Sequence, residues 1–576
     1  MVKLIKKQLE KVVKQNIDFD VLPSEKEEFG HYSTNIAFKL APILKKTPFE
    51  VAKELARKLG NPSTRSTNSG SIFAKIKAVQ PGFVNFWLKP EIFQDSLKEI
   101  LKLKDDYGKN NNLRGNKIMI EFTDPNPFKE FHIGHLMSNS IGEAISRILE
   151  WNGAKVKRAC YQGDVGLHVA KAVWGLLQKK TKKLSIKELA DAYAFGAKAY
   201  EADIKSKEQI NSINKEIYSR SNGEISRIYK IGRKLSLNYF ETIYKKLGTE
   251  FDHYFFESET GGIGKKIVEK NIDKVFEKSE GATVFKGEKY GLHTRVFVNS
   301  DGLPTYEAKE LGLFEMKIKK VSCDKYFSIT GNEINEYFRV MIKVIEMLFP
   351  KYARKLIHLS HGMMRLPSGK MSSRTGDVIT AESLITKIEK MVEEKMEGEK
   401  LSEKAAQKGE PRSEISEREK LEIEKIVAVG ALKYSILKQA IGGDIIFDFE
   451  KSISFEGDSG PYLQYAYTRA KSILEKAKKE KIKPSLKSVP GDVSGVERML
   501  CRFPAVVERA GKEYAPHYLV TYLTELARVF NAYYAKVKVV DGNDKYSPYK
   551  VALTFAFMTV MGNGLEILGI GRPKKM

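Results

Sequence analysis

Two histidines three residues apart, with a glycine between them and a lysine just before, form the densest group of chemically able residues in the chain. They lie in Pro125-Asn126-Pro127-Phe128-Lys129-Glu130-Phe131-His132-Ile133-Gly134-His135. A helix beginning here puts His132 and His135 on one face. Gly134 leaves room for a purine or phosphate against the backbone, and a helix N-terminus offers free N–H groups and positive dipole to an anion. Read alone, the histidines also fit a metal site or plain helix-start residues. No third Cys or His stands nearby at metal-site spacing, so no metal ligands are expected. Far downstream, Gly369-Lys370-Met371-Ser372-Ser373-Arg374-Thr375-Gly376 is a small cationic loop able to close on a polyphosphate. Each segment is weak evidence by itself; the pair, in this order, points to a nucleotide site.

Such residues need a scaffold. Lys117 to Phe122 is a short apolar run suited to a buried strand. After the Pro-Asn-Pro turn a helical pattern runs from about His132 to Asn152, and Val156 to Tyr161 reads as a second strand. Strand, turn, helix, strand is the opening unit of a doubly wound parallel sheet. Residues 175–285 are lysine-rich and helical in pattern and read as an insertion in that sheet domain. A second αβ section runs from Thr294 to about Thr380. Glu393 to Lys420 is polar and takes no chemical role, and the chain is helical from Ile423 on. Near the start, Leu4, Ile5, Leu9, Val12, Val13 and Ile17 make one helix face, the spacing of a folded domain rather than a leader. The expected fold is α/β: a doubly wound, Rossmann-like parallel-sheet catalytic domain with a helical insertion, an α+β N-terminal domain and an all-α C-terminal domain. The expected boundaries are 1–110, 111–452 and 453–576.

Composition narrows the partners. The 576 residues are 42% hydrophobic and 30% charged, and no apolar run approaches the roughly 20 residues that span a bilayer. A cytoplasmic protein without membrane association is expected. Lys and Arg number 98 against 73 Asp and Glu, a net +25. That excess favours a polyanion, because phosphate neutralisation releases condensed counterions; a solvated lysine surface is the other reading. Cys160, Cys323 and Cys501 are far apart and form no CxxC pair, which speaks against a disulfide framework or zinc and for a reducing compartment.

The two motifs resemble the HIGH and KMSKS signatures of class I aminoacyl-tRNA synthetases. Their context resembles the arginyl-tRNA synthetases: Glu121 to Pro127 before the first motif, Tyr161 to Gly166, Asp301 to Tyr306 followed by Glu310, His358 to Arg374, and Phe455 to Arg469. The resemblance covers nearly the whole chain and is weakest in the helical insertion. It implies activation of L-arginine by ATP, with magnesium on the nucleotide, and transfer to the terminal adenosine of tRNA(Arg) by a monomer. Lys129, His132, His135, Lys370 and Arg374 would be catalytic, and Lys129, His132, Gly134, His135, Lys370, Met371 and Ser372 would bind ATP. Negative charge gathers on phosphoryl oxygens and pyrophosphate, so fixed donors lower the barrier more than a general base would.

The resemblance also implies an arginine pocket of Glu121, Asn126, His132, Asp164, Tyr306 and Glu310. Glu121 and Asn126 would hold the α-amino group; Tyr306 and Glu310, four residues apart on a helix, would hold the guanidinium with Asp164 nearby. A carboxylate matches the planar guanidinium fork and discriminates against lysine. Four departures stand out: Glu310 for the usual aspartate, Lys309 for an arginine, Asp124 for a serine, and Met137 for an arginine. Ser373 stands where most class I enzymes have a second loop lysine, and Lys129 takes over that phosphate contact. On the tRNA side, the resemblance makes Phe83 and Asn85 candidates for the elbow, with a structural strand the equal alternative. It assigns Tyr462, Tyr465, Asn531, Tyr534 and Met576 to the anticodon. Tyrosines beside basic residues can stack unpaired bases; for each of them helix core is an equal reading.

Overall fold

The computed structural model describes all residues except 14, 25, 61–71, 180–183, 220–222, 366, 368–379 and 407–415, with no side-chain description for 27 and 398–406. The chain divides into two compact units. One comprises residues 1–109, 465–509 and 522–564; the other comprises 110–464, 510–521 and 565–576.

The first unit begins with α1 (Val2–Glu10), the antiparallel strands β1 (Val21–Pro23) and β2 (Tyr32–Thr34), α2 (Ile36–Leu44), α3 (Pro48–Gly60), β3 (Phe73–Val79), β4 (Phe83–Leu88) and α4 (Pro90–Leu103). The sheet order is β1-β2-β4-β3. Ile5 and Leu9 are fully buried against it, the apolar face expected at the N-terminus, although the helix stops at Glu10. Residues from the C-terminal helices complete the unit: Cys501 joins the same core as Phe86 and Leu88.

The second unit carries β5 (Lys117–Glu121), α5 (Ile133–Trp151), β6 (Lys155–Gln162), and four helices α6 (Leu167–Lys179), α7 (Ile186–Ala202), α8 (Ile204–Ser219) and α9 (Glu224–Leu247). Next come β7 (His253–Phe256), α10 (Glu257–Lys270), β8 (Glu277–Ser279), β9 (Ala282–Phe285), β10 (Arg295–Val298), α11 (Tyr306–Lys320), β11 (Lys325–Gly331), α12 (Asn335–Leu348) and β12 (Leu356–His361). The chain continues through β13 (Met364–Arg365), α13 (Ala381–Ala406), α14 (Glu417–Leu437), β14 (Ile445–Ile446) and α15 (Phe449–Ser452). The helices α16 (Gly460–Lys479), α17 (Gly495–Leu500), α18 (Phe503–Glu513), α19 (His517–Lys536) and α20 (Ser547–Ile567) follow, shared between the two units.

The central sheet is five-stranded and parallel, in the order β12-β11-β5-β6-β7. β5 lies in the middle, and its apolar run is buried on both sides, as a parallel strand requires. The chain leaves β5 to one side for β6 and β7, then crosses to the other for β11 and β12. That reversal makes the carboxyl end of β5 a topological switch point, where open α/β sheets bind ligands. One expectation is corrected. The segment 175–285 is not a helical insertion throughout: β7 within it joins the central sheet beside β6, with Cys160 opposite Tyr254. Only α6 to α9 are the helical excursion. A four-residue strand, His253 to Phe256, is too short to show an alternating period inside a charged helical background.

Candidate active site

The switch point gathers the expected residues. β5 ends in Glu121, and the next segment turns sharply, with positive φ at Thr123, Asp124 and Phe128. His132 is extended (φ −91°, ψ 170°) and stands just outside α5 rather than on its face, which corrects the expected placement. The two imidazoles instead stack, ring centroids 3.4 Å apart, and the His132 backbone N–H donates to His135 Nδ1 at 3.3 Å. Burial, helped by Lys129, lowers the His132 pKa to about 4. Burial also lowers that of His135, with His132 and Lys129 adding to it. Both rings are therefore neutral at pH 7. They offer N–H dipoles rather than charge, so the positive charge beside the first motif comes from lysine.

Lys129 is that charge on the first motif. Its Nζ lies 4.5 Å from the centroid of the Tyr193 ring. The second motif, with Lys370, Met371, Ser372 and Arg374, lies outside the described residues. Its downstream flank is described: Thr380 bridges His132, and the Ala381 N–H donates to the Phe131 carbonyl at 2.8 Å. The chain that follows the cationic loop is thus paired to the first motif. Met137 is fully buried in α5.

Beside the histidines lies a cluster of buried acids. Glu310 on α11 is 6% exposed, and its Oε1 has no hydrogen-bond partner among the described residues. Burial raises its pKa to about 7; Lys317 opposes this, and Glu121 and Glu257 add to it. Tyr306, one turn earlier, is 65% exposed at the mouth. Glu121 is committed to the fold, because Lys317 Nζ lies 2.6 Å from its Oε2 and the Ser328 hydroxyl donates to Oε1 at 3.2 Å. Its charge is thus shared with Lys317, a lysine absent from the expected site. Asp124, next along, accepts the Tyr161 N–H through Oδ1 at 2.7 Å, and its Oδ2 has no hydrogen bond among the described residues. Burial, then Glu121, raises its pKa. Asn126 Oδ1 packs against Gly163, where a Cβ would push the amide aside.

Asp164 is fully buried and fully engaged. It accepts from Arg233 Nε at 2.7 Å, from the Ser258 N–H at 2.9 Å and hydroxyl at 2.8 Å, and from the Tyr229 hydroxyl at 3.4 Å. These bonds tie Asp164 to the segments that follow β6 and β7. The sequence reading missed Glu257, which is buried at the carboxyl end of β7 and paired with Lys309 at 2.7 Å. Its signal was the adjacent strand β7, itself unrecognised. Across the cluster, the carboxyl groups of Glu121, Asp124, Asp164, Glu257 and Glu310 outnumber the cations Arg233, Lys309 and Lys317. A cluster short of positive charge favours a cationic group placed against it.

The tRNA-side residues fall into separate groups. Phe83 is 39% exposed beside Phe38, rings 5.1 Å apart. Asn85 is buried at 3% and accepts the Ser33 hydroxyl at 2.8 Å; β4 is central, with strands on both sides. Tyr465 and Tyr534 flank Arg469, whose guanidinium carbon lies 4.6 Å and 5.7 Å from their rings, and Arg469 donates to Asn531 Oδ1 at 2.7 Å. Arg469 was another omission of the sequence reading. Tyr462 and Met576 belong to the other compact unit. Among the described residues no group of His, Cys, Asp or Glu is arranged to hold a metal ion, and no helix is long and apolar enough to cross a membrane.

Comparison with known proteins identifies this geometry. Residues 96–449 match the model of the class I tRNA synthetases (R), catalytic domain. Residues 463–576 match the DALR anticodon binding domain, and residues 1–88 match the arginyl tRNA synthetase N terminal domain. An arginine–tRNA ligase of Halothermothrix orenii is 29% identical over 100% of this chain and 99% of its own length. One from Treponema denticola is 30% identical over 97% of this chain and 95% of its own. The solved Thermus thermophilus arginyl-tRNA synthetase has the same fold over 100% of both chains, with a TM-score of 0.79 at 22% identity. The chain belongs to the class I arginyl-tRNA synthetases.

Proposed function

We propose that the acid cluster takes arginine and the Lys129–His135 segment takes ATP. As a member of its family the chain is an arginine–tRNA ligase, and class I synthetases use ATP. The single observation behind the pocket is the buried, unpartnered carboxylate of Glu310, in a cluster short of positive charge. A guanidinium placed there forms charge-assisted bonds in a dry site. Tyr306 closes the mouth, and Asn126 with the open oxygen of Asp124 receives the α-ammonium.

The arginine carboxylate then attacks the α-phosphorus and pyrophosphate leaves. His132 and His135 donate N–H groups to the phosphates beside Gly134, while Lys129, Lys370 and Arg374 carry charge and Met371 and Ser372 bring the loop over the nucleotide, with magnesium on its phosphates. In the second step the terminal ribose hydroxyl of tRNA(Arg) attacks the carbonyl and AMP leaves. Phe83 meets the tRNA elbow, and Tyr462, Tyr465, Asn531, Tyr534 and Met576 meet the anticodon. The protein acts as a cytoplasmic monomer, with functional domains at 1–110, 111–452 and 453–576. Pyrophosphate exchange with each amino acid, with and without tRNA(Arg), tests the reading. Exchange with arginine alone is expected; exchange with another amino acid, or none, refutes it.

A further inference from the structure

The helical excursion α6 to α9 is where the sequence is least informative, yet it reaches the charged groups of the site. Each of its last three helices brings a tyrosine to one of these charged groups. Tyr193 on α7 lies under Lys129 at 4.5 Å. Tyr218 on α8 lies 5.8 Å from Lys309, the partner of Glu257. Tyr229 on α9 reaches Asp164.

The grip on Lys129 is double. Its side chain rests on Tyr193, and among the described residues no carboxylate pairs with it. Its backbone neighbour Phe128 is clamped by α9: the Phe128 N–H donates to Ser236 Oγ at 2.9 Å, the ring stacks on Tyr229 at 6.2 Å, and it packs on Gly232, where a Cβ would overlap it. The clamp is rigid. On α7, Ala192 packs against Gly175 and Gly196 against the Lys171 carbonyl, both on α6 and both too close for a Cβ. Tyr193 lies between these two contacts and cannot swing away as a loop residue would.

We propose that the helical excursion positions the two lysines of the site, Tyr193 holding Lys129 for the ATP phosphates and Tyr218 holding Lys309 at the arginine pocket. Tyr193 and Tyr218 are positioning residues that act through the lysines and need no contact with substrate. A ring face attracts an ammonium most where water is excluded, so a lysine with no acid partner keeps its full charge for phosphate while losing its freedom to wander. An aspartate in place of Tyr193 would hold Lys129 but cancel its charge. The inference rests on the assignment of Lys129 to ATP.

The test is a crossed set of steady-state constants for the full-length protein in tRNA charging. Tyr193→Leu is expected to raise the KM for ATP about fivefold and leave the KM for arginine within about twofold, while Tyr193→Phe, which keeps the ring, behaves as the parent does. Tyr218→Leu is expected to do the opposite, raising the KM for arginine and sparing that for ATP. Lys129→Ala should raise the KM for ATP, and Tyr193→Leu added to it should cause no further loss. If Tyr193→Leu fails to fold by circular dichroism, Tyr193→Met takes its place. Equal movement of both constants in both variants, or an additive double variant, overturns the inference while leaving Lys129 as an ATP ligand. An unchanged KM for ATP in Lys129→Ala removes the underlying assignment and the inference together.

Discussion

Glu310 is one methylene longer than the aspartate that the family resemblance places there, and Lys309 stands where that resemblance places an arginine. The structure holds its carboxyl at about 7 chiefly through burial. The unfolded chain ionises at the ordinary lower value, so between roughly pH 4.5 and 7 the folded protein binds more protons. Stability from this group is therefore present at low pH and falls as pH rises through that window. Arginine has the opposite preference, since a guanidinium binds the ionised form. The KM for arginine should rise about tenfold between pH 8 and pH 6 as the carboxyl takes up its proton. Glu310→Gln should flatten that profile and raise the KM at pH 8 by roughly 10- to 100-fold. A flat parent profile would show that Glu310 does not meet the substrate charge. Tyr306 and Glu310 were singled out by the family resemblance of the segment around them, since four-residue spacing on a helix is shared by many ordinary pairs. That Glu121 and Asp164 are already paired was not legible, since Lys317 and Arg233 come from distant elements.

At the scale of elements, α11 carries Tyr306, Lys309, Glu310 and Lys317, and its placement depends on how closely it crosses α10. The crossing uses two glycines: a Cβ on Gly264 would overlap the Ala308 carbonyl, and one on Gly312 would overlap the Thr260 carbonyl. Backbone cannot give way as a flexible side chain can, so Gly312→Ala must push the helices apart at a cost of about 1–3 kcal/mol. The expected result is a lower urea midpoint together with a KM for arginine raised severalfold. Gly262→Ala, on the same α10 but facing open space, should change neither. Equal behaviour of the two variants would mean that the crossing does not set the pocket. The helices themselves were readable from their periodicity; the short strand β7 was not, and with it went Glu257 at its carboxyl end.

For the whole molecule, a net charge of +25 matters most to the polyanionic substrate. Binding of tRNA should weaken steeply with salt, by at least tenfold between about 50 and 200 mM. Salt-insensitive binding would assign the lysines to mere solvation. If the cluster of Tyr465, Arg469, Asn531 and Tyr534 meets the tRNA as proposed, a guanidinium beside two rings presents charge and stacking surface together. Arg469→Ala should raise the KM for tRNA about tenfold with those for ATP and arginine unchanged. A shift in the small-substrate constants instead would mark Arg469 as a support of the fold.

The sequence alone determined which segments bear chemistry and the order of the elements that carry them. Helix starts, cationic loops and buried apolar strands are set by residues close together in the chain, so the histidine motif, the lysine loop and the opening of the parallel sheet were readable without coordinates. The tertiary structure decided which of the many acids is left free. Lys317 pairs with Glu121, Arg233 and Ser258 satisfy Asp164, and Asn85 accepts the Ser33 hydroxyl, while the buried Oε1 of Glu310 has neither a hydrogen bond nor an ion pair among the described residues. Those pairings depend on strand order and helix crossings that bring distant residues together, and the cost of burying a charge, which selects the substrate, exists only once the walls around it have formed.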